Sequence, residues 1–125
     1  MTQTFRDIES LIHGDVSDSA SLRQDYSTDA SIFRVVPQLV VAPKDTADVQ
    51  ALVRYVSKNK NHGLSLTPRA AGTDMSGGPL TESIVVDMKK YFTHIHSINH
   101  DSATVEPGMM YRDFEKQTLK KGLLL

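Results

Sequence analysis

Cysteine is absent from the 125 residues, so disulfides, thiolate catalysis and cysteine-held metals are excluded within the chain. That absence fits a reducing compartment. An excess of either charge is also lacking: 14 basic and 15 acidic side chains leave a formal net charge of -1. Nothing electrostatic therefore favours nucleic acid as a partner. The one small basic cluster, Lys58-Asn59-Lys60, reads as a solvated helix end. Long apolar runs are missing as well. The longest cover a few residues and could not span a bilayer. The stretch from Phe5 to Ile12 is broken by Arg6, Asp7 and Glu9, unlike a signal peptide. There is no repeat, marked linker or low-complexity tract, and the length suits one compact unit with a modest core.

What is present alternates between helical and strand patterns. Phe5, Ile8, Leu11 and Ile12 share one helical face, with Thr4 as the expected cap and Gly14 as the stop. Asp18 or Ser17 is expected to cap a second short helix through Leu22 and Tyr26. Leu39 to Ala42 is a short continuous apolar run, the pattern of a buried strand. Asp45 or Thr46 then offers a cap to a helix whose apolar residues, Val49, Leu52, Val53 and Val56, recur at i, i+3, i+4 and i+7. Gly63 ends it, and Leu64 to Thr67 forms the next strand. Strand, helix and strand of this length predict a βαβ unit with parallel strands. Ile84 to Met88 is a further strand. Ile95 to Ile98 and Ala103 to Val105 flank a four-residue polar turn, which predicts a hairpin. A last amphipathic helix begins around Met110, Tyr111 and Phe114 and runs to about Lys121, with Gly122 as its cap. The fold class is therefore α/β (α+β), a small mixed sheet with a βαβ unit and flanking helices.

The run from Thr67 to Gly78, between two strands, is the longest stretch of small residues with little apolar content. Small residues let a ligand approach the backbone, and successive N–H groups in such a loop can form a concave nest for an anion. Arg69 adds a positive charge and a planar hydrogen-bonding fork. Gly72 and Gly77 have Walker A spacing, but Gly78-Pro79 stands where that motif needs Lys and then Ser or Thr. No G-x-G-x-x-G follows a strand and opens a helix, so a Rossmann fingerprint is absent. On composition alone, an ordinary surface turn remains an equal reading. His94 and His96 fall on one face of a strand with His100 nearby, but no third ligand stands at clear metal spacing, and no metal site is expected. No serine occupies a G-x-S-x-G elbow.

Pro68, Arg69, Gly72, Thr73, Ser76 and Gly77 match a pattern that runs P-R-G/A-G/A-G-T-S-x-x-G, with Asp74 where serine is common. The loop thereby resembles the pyrophosphate loop of FAD-linked oxidases with a p-cresol methylhydroxylase-type FAD-binding domain. The segments 26–31 (YSTDAS) and 37–43 (PQLVVAP) look like the lead-in of the D-lactate dehydrogenase and glycolate oxidase branch. Val86-Asp87-Met88 and Val105-Glu106-Pro107-Gly108 also fall at the family's places, and the likeness covers about Asp25 to Leu125.

The resemblance implies an N-terminal helical lead-in at 1–34 and, at 35–125, the first subdomain of such an FAD domain. The apolar ending Gly122-Leu123-Leu124-Leu125 reads as an N-terminal piece of a longer protein. FAD is the implied cofactor. Pro68, Arg69, Ala70, Ala71, Gly72, Thr73, Asp74, Ser76, Gly77 and Gly78 are the implied cofactor-binding residues, with Pro107 and Gly108 approaching the flavin. Asp74 is awkward beside phosphates and is expected to turn away and cap a turn. Relatives that tether flavin through this loop carry histidine in an R-S-G-G-H pattern, where this chain has Thr73. The cofactor is therefore expected to be non-covalent. The implied activity is oxidation of a 2-hydroxy acid such as D-lactate or glycolate. Its catalytic base lies in a later substrate domain, so no catalytic residue is assigned here and the piece alone is expected to be inactive. A missing second half of the FAD domain would leave apolar surface at the last helix and Leu123 to Leu125, inviting self-association. The expected location is the cytoplasm or the inner face of the membrane. Two alternatives stay open: a small α/β phosphate- or partner-binding module without redox activity, and a flavoprotein like the enolpyruvyl reductase of cell-wall synthesis.

Overall fold

The computed structural model describes residues 2–124. Helix α1 (Gln3–Leu11) is capped by Thr2, whose hydroxyl accepts the Phe5 N–H at 3.2 Å. Thr4, the expected cap, lies inside the first turn. Strand β1 (Asp15–Ser17) follows, and helix α2 (Ala20–Asp25) is capped by Ser19 in place of Asp18 or Ser17. Strand β2 (Leu39–Ala42) leads to helix α3 (Thr46–Lys58) and a 3-10 turn at Lys60–His62. Strand β3 (Leu66–Arg69) delivers the small-residue loop, and β4 (Ile84–Asp87) leaves it. The hairpin β5 (Ile95–Ile98) and β6 (Ala103–Val105) precedes helix α4 (Tyr111–Leu119).

The main sheet has the order β1-β2-β4-β3. Strands β2 and β3 are parallel, as the βαβ pattern predicts, but β4 lies between them and pairs in parallel with both. Both central strands, β2 and β4, are buried along their whole length, which explains the apolar runs Leu39 to Ala42 and Ile84 to Val86. Phe5, Ile8 and Ile12 from the N-terminal helix pack with Leu52 of α3 onto Leu39, Val41, Ile84 and Val86. Residues of the lead-in therefore share the core of the sheet.

Strand β1 pairs antiparallel with β2 and has no apolar run to announce it. Its approach depends on Gly14. A Cβ there would stand 2.1 Å from the Ala42 carbonyl oxygen. The same corner is held by Asp48, only 1% exposed, whose carboxylate accepts the N–H groups of His13, Gly14 and Lys44 at 2.8, 2.9 and 2.8 Å. Burial pushes this carboxyl up, but the three donated bonds outweigh it and hold the group below the usual range. Asp45 caps α3 by accepting the Asp48 N–H, as expected.

Beyond the turn at residues 88–92, the hairpin forms a separate two-stranded sheet, and α4 follows it. Gly108 makes that junction: its N–H donates to the Phe92 carbonyl at 2.7 Å, and a Cβ would lie 2.0 Å from the Met88 oxygen. Tyr111, Leu119 and Leu124 remain exposed on this part of the chain. Leu125, the end of the apolar run singled out above, lies outside the described residues. No helix among the described residues is long and apolar enough to cross a membrane.

Candidate cofactor-binding site

Strand β3 ends at Arg69, and the chain turns at once into the loop. Gly72 and Gly77 both take positive φ, +70° and +83°, values that disfavour any side chain. Pro68 to Asp74 curve round to meet Gly78 and Pro79 and enclose an open cavity of about 320 Å³. The N–H groups of Ala70, Ala71, Gly72 and Thr73 have no acceptor among the described residues. They are the unfilled donors of a small anion nest, with side chains short enough to leave the backbone accessible. That set fits a pyrophosphate better than an apolar ligand, since it offers uncommitted N–H donors; Asp74, which also lines the cavity, has one carboxylate oxygen engaged by the N–H groups of Ser76 and Gly78.

Asp74 behaves as its chemistry requires. Its carboxylate folds back over the second half of the loop, accepting the Ser76 N–H at 2.6 Å, the Ser76 hydroxyl at 2.8 Å and the Gly78 N–H at 3.3 Å. The Ser76 hydroxyl, with those N–H groups, holds the carboxyl below the usual range. The loop therefore has two parts. Donors in its first half are uncommitted, whereas those at 76 and 78 are already engaged by an internal anion. Ser76 and Gly77 do not line the cavity; Gly77 faces Phe33, whose ring carbon would lie 3.1 Å from a Cβ at that position.

The Arg69 fork was expected at the nest; its guanidinium does lie beside Gly72, but the hydrogen bonds it makes run to residues 26 and 28. It donates to the carbonyl oxygens of Tyr26 at 3.1 Å and Thr28 at 2.7 Å, and its centre lies 5.2 Å from the Tyr26 ring. The Tyr26 hydroxyl in turn donates to Asp87 at 2.5 Å. Burial, and then the Asp87 carboxylate, push the Tyr26 pKa well above the ordinary tyrosine value. Asp87 is the register partner of Arg69 across β3 and β4. Sequence reasoning had placed Asp87 by resemblance and Tyr26 in the lead-in without seeing this junction. A buried aspartate closing an apolar strand was the available signal.

Pro107 and Gly108 do not join the loop cavity; Gly108 is packed against the turn at 88–92. Among the histidines, His94 and His96 converge on Glu106 at 2.8 and 3.5 Å, and His100 sits in the hairpin turn. The His94 N–H, followed by its ring, holds the Glu106 carboxyl below the usual range.

Comparison with known proteins agrees with this geometry. The chain is 37% identical over 109 residues to the D-2-hydroxyglutarate dehydrogenase of Escherichia coli (strain K12), which covers 86% of this chain and 11% of that protein. It is 35% identical over 99 residues to the enzyme of the same name from Pantoea ananatis (strain AJ13355), covering 78% of this chain and 10% of that protein. The chain thus spans about a tenth of the length of these relatives. Among solved structures, 4-ethylphenol oxidase from Gulosibacter chungangensis superposes over 98% of this chain and 25% of its own, with a TM-score of 0.77 at 23% identity. 6-Hydroxy-D-nicotine oxidase from Arthrobacter nicotinovorans matches 89% of this chain and 24% of its own, with a TM-score of 0.73 at 25% identity. These neighbours share the p-cresol methylhydroxylase-type fold expected from the loop. Residues 37–125 match the FAD binding domain family, and with well over half its length in that match, the chain belongs to that family.

Proposed function

We propose that this chain supplies the pyrophosphate-binding half of the FAD site in a flavin-dependent dehydrogenase of D-2-hydroxy acids. The observation that carries this reading is the nest at the end of β3. Four consecutive N–H groups, Ala70 to Thr73, find no acceptor among the described residues and border a cavity lined mostly by short side chains. Bound there, FAD would supply the two-electron acceptor for the oxidation.

The chain's own part is to bind and orient. Ala70, Ala71, Gly72 and Thr73 donate to the pyrophosphate, while Pro68 and Gly78 shape the walls. Asp74 keeps the Ser76 and Gly78 N–H groups in place, so the far side of the loop is rigid before the cofactor arrives. Pro107 and Gly108 are assigned to the flavin side, held by the packing of Gly108 on the 88–92 turn. Thr73 stands where a tethering histidine would be needed, so the cofactor is held without a covalent bond. Residues 1–34 act as the lead-in and 35–125 as the first subdomain.

The substrate reading rests on the relatives. D-2-hydroxyglutarate, named by the two relatives described above, displaces D-lactate and glycolate as the first substrate to test. Oxidation removes two electrons and two protons from the hydroxyl-bearing carbon and its oxygen, giving the 2-oxo acid. The base that takes the hydroxyl proton is assigned outside this chain. The deciding experiment is a panel of 2-hydroxy acids with the full-length protein and an artificial electron acceptor. D-2-hydroxyglutarate should give the highest kcat/KM. A protein purified without flavin, or one indifferent to every 2-hydroxy acid, would defeat the reading.

A further inference from the structure

The residues just before the family match do not trail away from the site. Residues 26–34 touch the cofactor loop at three separate places. Arg69 donates to the Tyr26 and Thr28 carbonyls. The Ala30 N–H donates to the Asp74 carbonyl at 3.1 Å. Phe33 lies against Gly77. The segment is itself closed by a Thr28–Arg34 bridge and by the Val35 N–H donating to the Ser27 carbonyl at 2.9 Å. It is an arm folded onto the loop.

Arg69 is the strongest of these fastenings. Its fork is engaged by two carbonyls, and it lies within cation–π range of the Tyr26 ring. It also limits Gly72, where a Cβ would lie 2.3 Å from a guanidinium nitrogen. A phosphate ligand needs donors aimed at the nest. The two donors that are engaged here go to the arm.

We propose that Arg69 is a positioning residue that clamps residues 26–34 to the loop, so that this arm fixes the shape in which the loop meets pyrophosphate. The proposal rests on the reading of the loop as an FAD site, but the clamp itself exists without the cofactor. Lysine cannot replace it: a single ammonium lacks the rigid fork that reaches both carbonyls and the flat face that lies on the ring.

The test is made on the full-length protein with Arg69→Lys and Arg69→Ala. Hydrogen exchange of peptides covering residues 26–34 is measured in FAD-free protein, and the FAD dissociation constant is measured at low and high salt. Both substitutions should speed exchange of the arm in FAD-free protein and raise the dissociation constant to a similar degree, about tenfold, or ~1.4 kcal/mol. The salt dependence should stay that of the wild type. Retained affinity in Arg69→Lys, or a shallower salt dependence in Arg69→Ala with an unchanged arm, would instead identify a phosphate ligand and overturn the proposal. Should both variants fail to fold, Ala30→Pro provides a second route, because it removes the N–H donated to Asp74 and leaves the Arg69 side chain in place. It too should weaken FAD binding, and unchanged affinity would overturn the proposal. If wild-type protein takes up no FAD, the reading of the loop fails, while arm exchange in FAD-free protein still reports on the clamp.

Discussion

Gly72→Ala is a small change with a consequence that can be worked out from the loop. The residue takes φ +70°, where an L side chain costs roughly 1–2 kcal/mol. The added methyl would also lie 2.3 Å from an Arg69 guanidinium nitrogen, so the guanidinium must move. Moving it disturbs two charged hydrogen bonds and a ring contact. With loss of the clamp taken at the ~1.4 kcal/mol expected for Arg69→Ala, the backbone cost of about 1–2 kcal/mol brings the sum to roughly 3 kcal/mol. If the loop relaxes to escape that strain, FAD binding must restore it, and the dissociation constant should rise about a hundredfold. Flavin titration by fluorescence reads this directly, with urea unfolding as a control. Gly72 does not belong to the core cluster that holds Phe5 and Ile84, so the unfolding midpoint should change little. The double variant Gly72→Ala/Arg69→Ala removes the collision and should bind better than the two single effects added together. A dissociation constant for Gly72→Ala within threefold of wild type would refute the reasoning.

Other outcomes follow from the same contacts. Asp48→Ala strands three N–H groups at the β1 corner and should lower the unfolding free energy by about 3 kcal/mol in urea, since a single buried donor left bare costs ~1–3 kcal/mol; no change would show that the cap is dispensable. Tyr26 has a folded-state pKa raised above its unfolded value, so its contribution is complete below pH ~10 and is lost as pH rises toward the folded value. Stability of the wild type should therefore fall more steeply above pH ~10 than that of Tyr26→Phe, and parallel alkaline profiles would contradict the Tyr26–Asp87 bond. Denaturing the full-length protein should release all of its flavin, and flavin left on the polypeptide would contradict the role given to Thr73.

Much of this architecture could be read from the chain because local pattern and tertiary environment agree. Leu39 to Ala42 and Ile84 to Val86 are continuous apolar runs because their strands are buried throughout. The α3 spacing likewise matches the face that carries Leu52 into the core. Strand β1 was not legible. Asp15-Val16-Ser17 has one apolar residue, and the strand forms because Gly14 permits close approach and Asp48 supplies acceptors. The insertion of β4 between β2 and β3 was hidden for a different reason, since strand order is a long-range property that no local period encodes. At the site, the loop and the inward turn of Asp74 followed from small residues and charge. The direction of Arg69 did not, because its acceptors are 43 and 41 residues away in sequence.

The central claim is that the first half of this loop receives the FAD pyrophosphate. Hydrogen exchange across residues 68–78 of the full-length protein, with saturating FAD and separately with riboflavin, tests it most directly. FAD should slow exchange at Ala70 to Thr73, whose N–H groups find no acceptor among the described residues, and riboflavin, which has no phosphate, should leave them unchanged. Stoichiometric FAD binding with no slowing anywhere in 68–78 would contradict the account.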